Sequence, residues 1–85
     1  MLQYLIMCRS LTYAQKTARI FDRLGITAAV TRAPQGTSSK GCAYCVKVSE
    51  RNLNQALTAL KNAGLGYSKV FLQTASGEIA EVNNI

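Results

Sequence analysis

Hydrophobic and polar positions along this chain fall into two matching passages. Ser10 opens a stretch in which Ala14, Thr17, Ala18, Phe21 and Leu24 recur at helical spacing, and Gly25 closes it. Ser49 opens a second, carrying Leu53, Ala56, Leu57, Leu60 and Ala63 and closed by Gly64. The two serines are 39 residues apart, and so are the two glycines. Steps of three and four put each set on one face of a helix. Serine starts helices because its hydroxyl oxygen accepts from an otherwise unpaired first-turn N–H, and glycine ends them by entering the left-handed region without steric cost. Thr12 with Gln15 offers an alternative start for the first helix.

Segments rich in β-branched and aromatic residues flank each helix, at 2–8, 26–32, 43–48 and 67–73. The second alternates Ile26, Ala28 and Val30 against Thr27, Ala29 and Thr31, the period of a strand with one buried face. Pro34 to Gly41 is the turn-rich join between the halves. Two right-handed βαβ crossovers joined this way predict an α+β, ferredoxin-like βαββαβ sandwich in a single domain, residues 1–85. Two helices would cover one face of a four-stranded antiparallel sheet with strands one and three central. Ala75-Ser76-Gly77 turns into a candidate extra edge strand, 78–82.

Composition narrows the chemistry. The chain is 48% hydrophobic and 16% charged, which is globular, and no apolar run approaches the roughly 20 residues of a membrane span. The apolar start has no basic stretch before it and no small-residue cleavage site after it, so it reads as a strand and the expected compartment is the cytoplasm. With no histidine, triads and imidazole metal sites are excluded. Ten Lys and Arg against four Asp and Glu give a net charge of +6, which favours anionic partners such as nucleic acid, phosphorylated ligands or an acidic protein. No cofactor is implied.

Three cysteines remain: Cys8, Cys42 and Cys45. In the expected topology the end of strand one lies beside the start of strand three, so Cys8 and Cys42 share one end of the sheet with the first turn of helix one. Cys42 shares parity with Tyr44, Val46 and Val48, which turns it toward the helices. Backbone N–H groups including that of Ser10, the positive end of the helix, and Arg9, Arg32 or Lys40 would all favour thiolate there. Gly41 adds access. The alternative is that Cys42 is a small half-buried strand residue. Cys42-Ala43-Tyr44-Cys45 is not read as a redox pair, because residues three apart in a strand stand about 10 Å apart on opposite faces, beyond the ~7 Å a disulfide spans. The same geometry excludes a tetrahedral metal site, and Cys45 is expected to be inert. Cys8 and Cys42 form the pair expected to join under mild oxidation, with Cys8 as a resolving thiol.

Lys40 to Lys47 resembles the RNP1 signature of RNA-recognition domains, but Tyr44 and Tyr4 have the parity of the core, so the stacking platform is missing. Nucleic-acid binding then rests on charge and fold alone. A third alternative is a regulatory interaction domain pairing through its open sheet face, which would carry Leu5, Met7, Ala29, Cys45 and Phe71.

Arg9-Ser10 into an Ala-rich helix, Leu24-Gly25-Ile26, Arg32-Ala33-Pro34, Ser38-Ser39-Lys40-Gly41-Cys42 and Ala63-Gly64 together resemble a family of small bacterial selenium/sulfur carrier-like proteins. Members typically carry Ser-x-Gly-Cys-Gly after a proline-containing loop. Ser39-Lys40-Gly41-Cys42 fits, Ala43 replaces the following glycine, and Cys45 is an addition. The resemblance implies that Cys42 holds sulfur or selenium as a persulfide or selenosulfide, exchanged with donor and acceptor proteins, with no turnover chemistry of its own.

Overall fold

A computed structural model describes residues 2–33, 44–65 and 69–82. It is an α+β arrangement of two helices and a five-stranded antiparallel sheet. In chain order the elements are β1 (Gln3–Cys8), α1 (Leu11–Arg23), β2 (Ala28–Arg32), β3 (Tyr44–Ser49), a 3₁₀ turn (Glu50–Asn52), α2 (Leu53–Ala63), β4 (Val70–Gln73) and β5 (Ile79–Val82). The sheet order is β2-β3-β1-β4-β5, which makes β1 and β3 neighbours as expected. The expected strand starts at Ala43 and Tyr67 lie outside the described residues.

Five strands replace the expected four. Gly77, at φ +92°, turns the chain after β4, and the hydroxyl of Thr74 accepts from Glu78 N at 3.1 Å. That turn lays β5 against β4, with Gln73 opposite Ile79 and Val70 opposite Val82. The candidate edge strand is therefore part of the sheet.

Both helices close alike. Ile26 N donates to Phe21 O at 2.9 Å and Gly25 N to Asp22 O at 3.1 Å; 39 residues on, Leu65 N donates to Leu60 O at 3.0 Å and Gly64 N to Lys61 O at 3.2 Å. This is the paired hydrogen-bond closure of a Schellman motif, and Gly25 and Gly64 supply its left-handed residue at φ +75° and +72°. The starts differ. Ser10 Oγ accepts from Tyr13 N at 3.3 Å, so Ser10, not Thr12, caps α1. Ser49 makes no such bond with the backbone; it fronts the 3₁₀ turn and accepts from the Asn52 side-chain amide at 3.2 Å.

Ile6, Val46, Val48 and Val70 meet Ala14, Phe21, Leu53, Ala56 and Leu60 in the core between the sheet and both helices. Three details depart from the sequence pattern. Leu24 is half exposed and Ala63 is exposed, each at the very end of its helix. Ala59 is buried while Leu57 is only partly so, which centres the inner face of α2 on Ala56.

A second cluster lies on the opposite side of the sheet. Leu5 and Cys45 are 0% exposed, Met7 1% and Phe71 7%, with Ala33 and Ile79 packed against them. The expectation of an open apolar centre on this face is therefore corrected. Only Ala29, of the five residues assigned to it, is exposed.

Candidate functional site

Register builds the site at one end of the sheet. Cys8 on β1 pairs with Tyr44 on β3, and Tyr44 pairs with Arg32 on β2. Directly paired residues in an antiparallel sheet project to the same side. Cys8 and Tyr44 belong to the helix-side core, so the whole row faces the helices. Exposure rises along it: Cys8 is buried, Tyr44 is half-buried and Arg32 is exposed. The row runs from the core to a cation at the surface.

Two residues after Cys8 the chain enters α1. Helix geometry leaves first-turn N–H groups without intrahelical acceptors, and Ser10 Oγ takes up that of Tyr13. The first turn holds no acidic residue to offset the positive end of the helix. Arg9 is exposed, and its guanidinium carbon lies 5.1 Å from the centroid of the Tyr13 ring, a cation–π contact that steadies it above this turn. Positive potential is thus concentrated where β1 ends.

The structure therefore brings together Cys8, Arg9, Ser10 and Arg32, four of the residues expected at the site. Lys40, Gly41 and Cys42 lie outside the described residues. Two participants were missed by sequence reasoning. Tyr13 anchors Arg9, and the signal was its spacing of four from that arginine. Tyr44 links Cys8 to Arg32, and only the register reveals it.

The two described cysteines occupy different surroundings. Cys8 Sγ donates to Ile6 O at 3.6 Å on the helix side. Cys45, paired with Met7 and Thr31, points to the other face. Burial pushes the Cys45 thiol up to about 11 from an ordinary value of 9.0; Lys47 draws it down in part, and the nearby Cys8 adds a smaller upward push. Such a thiol is overwhelmingly protonated at neutral pH, as expected of an inert residue. Among the described residues no cluster of Cys, Asp or Glu has the makings of a metal site. No described helix is long and apolar enough to cross a membrane.

A family model described as "Putative Se/S carrier protein-like" matches residues 3–72. The chain belongs to this Se/S carrier-like family. The match runs through every element up to β4 and includes Cys42 and the whole row at the end of β1. None of the curated proteins matches the chain. Within the Se/S carrier-like chain, the sheet end bearing Cys8, Arg9 and Arg32 is the one at which Tyr44, the first residue of β3, pairs with Cys8.

Proposed function

We propose that this chain is a sulfur or selenium carrier, a single ferredoxin-like domain of the cytoplasm in which Cys42 bears the transferred atom. Family membership over residues 3–72 is the observation that carries the reading. Connectivity supports the choice of cysteine. Cys42 precedes Tyr44, the residue paired with Cys8, by two positions in the chain. Arg9, Arg32 and the start of α1 favour a thiolate there, and Lys40 and Gly41 adjoin Cys42 in the chain. Cys45 faces the other side of the sheet from Cys8 and its pKa is raised, which favours Cys42 over it as the carrier.

Loading is thiol exchange without net oxidation. The Cys42 thiolate attacks the outer sulfur of a donor persulfide; that S–S bond breaks, the donor leaves as a thiolate, and Cys42 becomes the persulfide. An acceptor thiolate then attacks the outer atom and Cys42 leaves as a thiolate. Selenium follows the same course as a selenosulfide. Cys8 supplies a second exit: its thiolate attacks the Cys42 sulfur and expels hydrosulfide. The resulting Cys8–Cys42 disulfide is reopened by a dithiol reductant.

Nucleic-acid binding has less support. Tyr4 and Tyr44 pack toward the helices, and Phe71, the aromatic of the opposite cluster, is only 7% exposed, so among the described residues the sheet offers no exposed aromatic platform to bases. Burial of that same centre also weakens a homodimer formed through the sheet, because little apolar area remains there to cover.

Intact-mass analysis of protein purified without reductant tests the proposal. The wild type should gain the mass of one sulfur or selenium atom, Cys45→Ser should keep the gain and Cys42→Ser should lose it. A gain that survives Cys42→Ser, or no gain after incubation with a persulfide donor, sinks the carrier role.

A further inference from the structure

Away from the sheet end, α1 and the end of α2 enclose a groove of about 290 Å³, lined by Lys16, Arg19, Ile20, Arg23, Ala63 and Leu65. Positions 16, 19 and 23 share one side of a helix. All three cations are exposed. Ile20 and Leu65 are half-buried and packed against the helix-side core, so the floor of the groove is apolar and anchored.

Among the described residues no carboxylate pairs with these charges. Among the described residues the one ion pair is Lys69 with Glu81, at 3.6 Å on the far strands. Asp22, the single acid of α1, lines a separate cleft with Ala18, Gly25 and Ile26. Arg23 suits the negative end of α1 and Lys16 lies 6.0 Å from the Tyr13 ring centroid, but like charges one turn apart slightly destabilise a helix, so grouping the three on one side gives the fold little.

We propose that this groove docks an acidic, amphipathic segment of a partner protein. Its carboxylates would meet Lys16, Arg19 and Arg23 at the rim, and an aliphatic side chain would enter over Ile20, Ala63 and Leu65. From Lys16 to Arg23 is seven residue steps, roughly 10 Å of helix, which matches two turns of a helical partner. An aliphatic floor with no aromatic in the lining suits a leucine-like side chain better than a stacked base. The N-cap of the same helix, Ser10, follows Arg9 at the carrier end, so α1 joins the groove to that end. The proposal rests on the carrier reading only in taking that partner to be a donor or acceptor of sulfur or selenium.

The test is an NMR titration of the ¹⁵N-labelled full chain with a synthetic helical peptide carrying glutamates around a leucine stripe. A leucine-to-serine version of the peptide and a single-stranded oligonucleotide serve as comparisons. Saturable shifts should appear at Lys16 to Arg23 and at Ala63 and Leu65, and should weaken with salt. Combining Lys16→Glu, Arg19→Glu and Arg23→Glu should weaken binding at least about tenfold. Where that variant misfolds by circular dichroism, the three glutamine substitutions replace it, with a loss of about threefold or more expected. Equal binding of the serine peptide would reduce the groove to bare charge and overturn the proposal. So would tighter binding of the oligonucleotide at these residues, or an absence of shifts there. Mass analysis separates the two readings: a groove variant that loses the peptide yet still loads Cys42 leaves the carrier role standing. Peptide binding by a chain that never loads leaves only the groove.

Discussion

The two βαβ halves end their helices identically and begin them differently. Phe21, Asp22, Gly25 and Ile26 correspond to Leu60, Lys61, Gly64 and Leu65 at a constant offset, and the closing hydrogen bonds match. At the helix starts the correspondence slips by one. The inward residues of β1 are Tyr4, Ile6 and Cys8; those of β3 are Tyr44, Val46 and Val48, an offset of 40 where the helices keep 39. The slipped residue is Arg9. In the first half it separates Cys8 from the capping serine, so Ser10 is clear of the sheet and free to turn its hydroxyl onto α1. In the second half Ser49 follows Val48 directly and is still paired with Gln3, so the chain leaves the sheet through a 3₁₀ turn. One inserted residue thus gives the first half both a side-chain-capped helix start and a cation beside Cys8.

The sharpest challenge to this equivalence is a pair of core truncations. Phe21 and Leu60 occupy corresponding positions and are 0% and 1% exposed. Phe21→Ala should cost about 3–5 kcal/mol and Leu60→Ala about 2–5 kcal/mol in chemical denaturation. A loss below about 1 kcal/mol for either would mean that its half does not anchor the fold.

A second comparison concerns the outer side of the central strands, where Met7 of the first half faces Cys45 of the second. Only the latter ionises. Its folded pKa of about 11 lies above the ordinary 9.0, so the folded chain holds the proton more tightly. That contribution to stability is complete below about pH 9 and is lost as the pH rises through about 11. Between those values the wild type should lose about 1–3 kcal/mol more than Cys45→Ala. Parallel denaturation profiles for the two proteins would contradict the burial argument.

The smallest effect separates the caps. Ser10→Ala should cost about 1 kcal/mol, because it removes the acceptor for Tyr13 N. Ser49→Ala should cost less than about 0.5 kcal/mol, since that hydroxyl caps no backbone group. Equal losses in thermal or denaturant unfolding would erase the distinction between the two helix starts.

How much of this was legible depended on how far each feature reaches along the chain. Both glycine closures, the alternation of β2 and the middle of both helix faces follow from neighbours within five residues and are readable; the helix ends at Leu24 and Ala63 and the burial of Ala59 were not. The neighbouring of β1 and β3, and the inward parity of Cys8, Tyr4 and Tyr44, followed from the handedness of two crossovers together with strand period. That Cys8, Arg9, Ser10 and Arg32 lie toward one end of the sheet was recognisable from topology. The Cys8–Tyr44–Arg32 row was not, because parity predicts a side and only register selects partners.

The sequence by itself determined where helices stop, which strand positions face inward, and that histidine-based chemistry is absent, since these rest on residue type and local spacing. Tertiary structure decided that Ser10 caps while Ser49 does not, that β5 joins the sheet, and that the centre of the far face is buried. It also decided that one thiol, Cys45, is held protonated. The hold of Gln3 on Ser49 and the burial of the far face and of Cys45 depend on groups distant in the chain competing for the same space, hydrogen bonds or solvent, and no local pattern encodes the outcome of that competition.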